Sequence, residues 1–317
     1  MESGQRAGLF LIGIEIGGTK LQLVAGDETG AIRARRRLRV EPEKGAAGIR
    51  RQIEQELPEM LRSFPSRAVG IGFGGPVDWK LGRICRSHQI EGWSEFDLAG
   101  WIRQVSGVAL VAVENDANVA ALGEALHGAG AGFSPVFYVT LGSGVGGGLV
   151  VEGGIYHGAA PGEAEIGHVR LDRAGVILEE RCSGWAVDGK VRELETKAPF
   201  SLLWRMARQS PGAEARHLVR ALEQGDSAAQ HILEETAEDL AFGLSHVVHL
   251  FHPRMIVLGG GLAGIGEPLR AYVEKDLRRF IMDAFAPGPR IALAALGEDA
   301  VPVGALSLAR GVVQHGQ

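Results

Sequence analysis

Asp116 is placed to act as a base. It stands where an apolar strand, Val108–Val113, runs through Glu114 and Asn115 into a helical pattern. A carboxylate there can accept the proton of an attacking hydroxyl, as phosphoryl transfer to an alcohol requires. Asp is also a common helix N-cap, so the same spacing fits a structural role. Glu165 and His168 lie three apart in Gly162-Glu163-Ala164-Glu165-Ile166-Gly167-His168. On one helical turn they would share a face, giving vicinal hydroxyls an acceptor and a donor. A surface pair or a structural histidine is the plain alternative.

Two glycine turns supply what a polyphosphate needs. In Phe133–Glu152 a strand leads into Gly142-Ser143-Gly144 and returns through Gly146, Gly147 and Gly148 to Val151. Glycine admits close approach of a ligand and lets successive N–H groups turn toward one anion. Leu9–Gly26 has the same shape, with Gly17-Gly18-Thr19-Lys20 as its turn and Glu15 aligned with Thr140. One glycine-rich stretch would be weak evidence. Two, each behind a buried-type strand, imply a duplicated α/β unit with a cleft between the copies.

The elements that must position these groups alternate along the chain. Residues 9–40 read as three strands, the last carrying arginines at 33, 35, 36, 37 and 39 and fitting a charged sheet edge. Gly45–Phe64 has helical spacing, which Pro58 is expected to end or kink. Ala68–Phe73 is a strand feeding the turn Gly74-Gly75-Pro76-Val77-Asp78, and a loop follows over Ile84–Trp93. Further helices are expected over Phe96–Val105, after Asp116, and over Trp185–Glu195, Leu202–Gln209, His217–Gln224 and Ser227–His249. Met255–Leu258 is a strand entering Gly259-Gly260-Gly261. Glu267–Phe285 reads as mostly helix, Ile291–Ala295 as a strand and Val303–Val313 as a closing helix. This alternation calls for an α/β fold.

At 317 residues the chain accommodates two domains, and its net charge of −5 gives no electrostatic case for nucleic acid. Two cysteines, Cys85 and Cys182, make no disulfide framework and suit a reducing cytoplasm. No signal-peptide pattern opens the sequence. The charge-free run Phe133–Val151 invites a membrane reading, but its proline and glycines make a poor helix and the hairpin accounts for it.

Five motifs carry a family resemblance. Glu15-Ile-Gly-Gly-Thr-Lys20, Glu114-Asn-Asp-Ala-Asn118, Leu141-Gly-Ser-Gly-Val-Gly-Gly-Gly148, Glu165-Ile-Gly-His168 and Ile256-Val-Leu-Gly-Gly-Gly261 occur in the order of the ROK family (repressor, open reading frame, kinase). The resemblance spans about residues 9–313. It implies an actin-like, ribonuclease-H-like fold of two domains flanking a cleft, in which ATP and a sugar meet. The expected domains are 1–114 with about 303–317, and 115–302. It further implies a glucokinase-like hexose kinase using ATP and Mg²⁺, with Asp116 as catalytic base. Gly75, Asn115, Glu165, His168 and Glu179 resemble the sugar ligands. Gly17, Gly18, Thr19, Lys20, Gly142, Ser143 and Gly144 resemble the phosphate hairpins, and Gly259, Gly260 and Gly261 the nucleoside pocket. A homodimer, no nucleic acid and no membrane are expected.

Three departures stand out. Glu15 replaces the usual Asp, which sets its carboxylate one methylene further out. Gln89 stands where a sugar-binding Asn is common before Gly92-Trp93. The cysteine-rich zinc loop after His168 is missing, with Ile177 where its last cysteine would fall. One histidine does not make a four-ligand site, so no zinc is expected. Two rival readings are a sugar-responsive regulator and a sugar-binding protein that has lost turnover. Such regulators carry an N-terminal helix-turn-helix module, and only a short stretch precedes the first strand here.

Overall fold

The computed structural model describes residues 10–85, 90–159, 162 and 164–315. Gln89, Leu9 and Glu163 lie outside the described residues. Strands are β1 (Phe10–Ile16), β2 (Lys20–Gly26), β3 (Ile32–Arg39), β4 (Ser66–Phe73), β5 (Val77–Asp78), β6 (Arg83–Ile84), β7 (Leu110–Asn115), β8 (Val136–Leu141), β9 (Val145–Val151), β10 (Gly154–Ile155), β11 (Met255–Gly259) and β12 (Arg290–Leu293). Helices are α1 (Gly45–Ser63), α2 (Leu98–Ser106), α3 (Asp116–His127), α4 (Glu179–Cys182), α5 (Gly184–Lys197), α6 (Leu202–Ala207), α7 (Leu218–Glu223), α8 (Ser227–Phe251), α9 (Glu267–Phe280) and α10 (Ala300–His315).

The chain forms two compact units. The first holds everything up to Ala131, the stretch from Gly153 until Ala164, and the chain from Glu298 on; the second holds the rest. In the first, the sheet runs β3-β2-β1-β4-β7. β1 pairs antiparallel with β2 and parallel with β4, and β7 continues the parallel set. The second unit repeats this arrangement as β9-β8-β11-β12, an antiparallel hairpin followed by two parallel strands. The crossover helices repeat as well: α1 and α2 in the first unit match α8 and α9 in the second. The duplicated ribonuclease-H-like arrangement expected from the sequence is therefore present.

Each sheet is held by apolar residues that the alternation of strand side chains sorts to its two faces. In the first unit Ile12, Ile14, Leu21 and Leu23 pack with Ile49, Ile53 and Leu57 of α1. Leu11 and Val24 face Leu306 and Ala309 of α10 on the other side. Burying each such side chain is worth about 1.5–3 kcal/mol. Close approach of α10 depends on glycine, since a Cβ on Gly70 would lie 2.0 Å from the Ala305 carbonyl oxygen and one on Gly304 1.8 Å from that of Val119.

That packing corrects the expected boundary at residue 114. α3 is apolar on several faces, with Val119, Ala121 and Leu122 buried, and it packs on α10 within the first unit. A helix so fully covered stays with the sheet it leaves, and the chain crosses to the second unit only at Gly132. Pro58 does not end α1, which continues through it to Ser63. The carbonyl it leaves without an N–H partner belongs to Glu54, which is exposed, so water can serve it.

Candidate functional site

The turn between β1 and β2 is closed by the Gly17 N–H donating to the Lys20 carbonyl oxygen at 2.9 Å. Thr19 lies exposed at its tip. Glu15 sits at the base of the turn, its carboxylate 3.2 Å from the Lys20 ammonium and accepting from Gln22 Nε2 at 2.7 Å. Burial pushes the Glu15 carboxyl above its ordinary range, against the opposing pull of Lys20 and Gln22.

At the end of β7 the structure separates two roles that the sequence left joined. Asn115 is the N-cap of α3, its Oδ1 accepting from Ala117 N at 2.8 Å and Asn118 N at 3.3 Å. Its Nδ2 donates to the Gly75 carbonyl oxygen at 3.2 Å, which ties the Gly74–Asp78 turn to the helix start. Asp116 is the first helical residue, and its carboxylate is not what closes the helix. It lies in the first turn, where the helix dipole favours negative charge. Gly74 lies beside it, a Cβ there standing in ordinary contact at 3.4 Å from Asp116 Oδ2. Trp93, from the matched Gly92-Trp93 pair, is buried in the core and meets Phe73 edge-on at 5.6 Å.

A buried polar group beside this point was missed by the sequence reading. Glu114, 3% exposed, is hydrogen-bonded to His157, whose ring stacks on Trp79 at 4.0 Å. Asn118 donates to Glu114 at 3.4 Å and to the Gly162 carbonyl oxygen at 3.2 Å. Glu114 was legible as part of a motif, but nothing local linked it to His157.

In the second unit the turn between β8 and β9 is closed by Gly142 N donating to the Gly144 carbonyl oxygen at 2.9 Å. Two outside groups brace it. Gly184 N, at the start of α5, donates to the Gly142 carbonyl oxygen at 2.7 Å, and the Glu179 carboxylate accepts from Val145 N at 2.8 Å. A Cβ on Gly144 would lie 2.5 Å from Glu179 Oε2. Glu179, expected as a sugar ligand, thus commits one oxygen to this turn.

Glu165 and His168 share one short helical turn, Ile166–His168, with His168 N donating to the Glu165 carbonyl oxygen at 3.1 Å. Ile166 and Gly167 are buried against β9, leaving Glu165 and His168 exposed together. From His168 the chain makes a small hairpin. Leu171 N donates to the Val176 carbonyl oxygen at 2.8 Å, and Leu178 N to that of Val169 at 2.9 Å. Asp172 Oδ1 takes the N–H groups of Gly175 and Val176, and Leu178 is fully buried. Among the described residues no three His, Cys, Asp or Glu side chains converge as a metal cage.

A cavity of about 510 Å³ in the second unit is lined by Gly142, Ser143 and Gly261. Trp185, Asp188 and Arg216 also line it, and no motif pointed to them. The one sequence signal was a tryptophan just after the Cys182-Ser183-Gly184 turn. Gly259 and Gly260 are tightly packed at Cα. A Cβ on them would meet the Tyr138 hydroxyl at 2.2 Å and the Leu141 backbone nitrogen at 2.5 Å. The run Phe133–Val151 is β8 with β9, and no described helix is long and apolar enough to cross a membrane.

Comparison with known proteins agrees with this geometry. The chain is 31% identical to a glucokinase of Thermotoga maritima, covering 95% of this chain and 97% of that one. A putative xylose repressor of a Caldicellulosiruptor species is 24% identical over 89% of this chain and 72% of its own. The crystal structure of a ROK family glucokinase from Streptomyces griseus, in complex with glucose and AMPPNP, superposes with a TM-score of 0.82. It is 32% identical and covers 95% of this chain and 99% of that one. The ROK family model matches residues 11–312, and with two glycine-turn hairpins set in a duplicated fold the chain belongs to the ROK family.

Proposed function

We propose that this chain is an ATP-dependent hexose kinase of the glucokinase type. The observation that carries the reading is the division of labour at the start of α3. Asn115 caps the helix, which places Asp116 as its first residue, half-buried in the turn where the helix dipole favours a negative charge. In the reaction the sugar oxygen attacks the γ-phosphorus as its proton passes to Asp116. The bond from the γ-phosphorus to the bridging oxygen breaks, and its electron pair leaves with ADP. The sugar phosphate is the other product. Glu165 and His168 offer an acceptor and a donor to neighbouring hydroxyls.

The two glycine turns present backbone N–H groups to the phosphates, and the cavity beside Ser143 and Gly261 takes the nucleoside. Mg²⁺ enters with the nucleotide as part of the substrate. The chain supplies carboxylate oxygen at Glu15, the donor type that suits a hard cation and its waters. A sugar-responsive regulator, in keeping with the repressor relative, would use Glu165 and His168 without needing Asp116.

The test is a coupled ADP-release assay over hexoses and N-acetylhexosamines, with Asp116→Asn alongside. The variant is expected to lose about 10²–10⁴ in turnover while sugar affinity is kept. Turnover within about tenfold of the parent would remove Asp116 from the mechanism.

A further inference from the structure

The arginines of β3 do not all face solvent. Arg33 pairs with Asp27 and Arg36 with Glu56, as a charged sheet edge would. Arg35, 21% exposed, pairs with Asp299 just ahead of α10, while Arg37, as exposed as Arg33 and Arg36, lies 3.7 Å from Glu298. Both also donate to one buried oxygen, Gln22 Oε1, at 3.1 Å from Arg35 and 3.0 Å from Arg37. Gln22 is on β2, wholly buried, and stands opposite Arg37 on one side and Glu15 on the other.

The chemistry of these groups fixes the amide. A guanidinium has only donors, so two of them hold the Gln22 oxygen toward β3. Its NH₂ must then face β1, where Nε2 donates to Glu15 Oε2 at 2.7 Å. A flipped amide would set NH₂ against two guanidinium donors and its oxygen against a carboxylate. Lys20 takes the other Glu15 oxygen at 3.2 Å. The carboxylate at the base of the glycine turn is thus held at both oxygens. One hold is anchored, through Gln22, to the edge strand and the start of α10.

We infer that Gln22, oriented by Arg35 and Arg37, is a positioning residue that fixes the Glu15 carboxylate for phosphoryl transfer. The inference rests on the kinase reading above. A carboxylate beside a polyphosphate repels it unless it is aimed at an accompanying cation, and a glutamate has three side-chain torsions by which to swing away. The clamp removes that freedom at the full length of the glutamate, where Gln22 Nε2 meets Glu15 Oε2 at 2.7 Å.

The test is a double-mutant cycle between Gln22→Met and Glu15→Asp. Gln22→Met keeps the buried volume and loses the donor. It is expected to lower kcat about tenfold with the sugar KM within about twofold of the parent. In the Glu15→Asp background, with the carboxylate drawn back one methylene from Gln22, adding Gln22→Met is expected to cost clearly less than in the parent. Equal losses in both backgrounds would mean that Gln22 only supports the fold, and would overturn the inference. Should Gln22→Met not fold, the pair Arg35→Met with Arg37→Met releases the amide from its other side and enters the same cycle. Parent protein that phosphorylates no sugar overturns the kinase reading and this inference with it. A parent that turns over while Gln22→Met matches it overturns the positioning role alone.

Discussion

The two glycine turns share one backbone plan and differ in what surrounds it. Each follows an inner strand, closes on its own backbone at 2.9 Å and returns antiparallel. The β1–β2 turn is charged, with Glu15 and Lys20 at its base in a polar ladder that continues through Gln22 to Arg35 and Arg37. The β8–β9 turn carries no charge of its own. Its glycine backbone is held from outside, by Glu179 at Val145 N and by Gly184 N at the Gly142 oxygen. Duplication accounts for the shared geometry, and each copy's neighbours decide its chemistry. One copy carries charged side chains at its base, and the backbone of the other is steadied by the helices that follow the Glu165–His168 turn.

The comparison breaks most visibly at the braced turn. Gly144→Ala drives a Cβ into the end of the Glu179 side chain, which must swing away and give up its bond with Val145 N; the loss should be about 0.5–1.5 kcal/mol, read as a lower Tm. Glu15→Gln is expected to have an intermediate effect, of opposite sign at neutral pH. Burial raises the Glu15 carboxyl above its ordinary value of 4.5, so the folded state favours the protonated form. That contribution to stability is full below the ordinary value and is lost as pH rises through the raised one. The Tm of Glu15→Gln relative to the parent should therefore climb from acid to neutral pH while turnover falls. A flat difference would show that the ladder fully compensates the burial.

Gly17→Ala probes the other turn, at the position aligned with Gly142. Its Cβ would meet only the Lys20 carbonyl oxygen, at 3.3 Å, so the melt should shift by less than the equivalent of ~0.5 kcal/mol. A loss as large as that of Gly144→Ala would erase the distinction drawn here. The smallest expected effect is none at all. The hairpin from Val169 to Leu178 is closed by its own backbone, Asp172 and the buried Leu178, so a strong chelator should leave the Tm unchanged. A chelator-induced drop reversed by zinc alone would give that hairpin a metal.

What was legible in the sequence was local. Apolar runs, glycine turns and the spacing of Glu165 and His168 were read correctly, because strand, turn and short helical geometry are set within a few residues. The repeat of the β1–β2 pattern in β8–β9 fixed the fold class for the same reason, since each copy carries its own signal. The charged face of β3 was read as an edge, and Arg33, Arg36 and Arg37 are exposed there, while Arg35 is largely covered and joins Arg37 in donating to Gln22.

Tertiary structure alone decided the rest. Asn115 rather than Asp116 caps α3, and its side chain also holds the Gly75 carbonyl, from a turn two elements earlier. The division of the chain beyond α3 follows from α10, the last helix, which covers it. Glu114 meets His157 only after the intervening chain has folded. In each case a polar or apolar group takes its partner from a distant element, because burial demands one and sequence neighbours cannot supply it. The sequence by itself determined the elements and their repeat, while the pairing of buried groups across elements determined what each side chain is available to do.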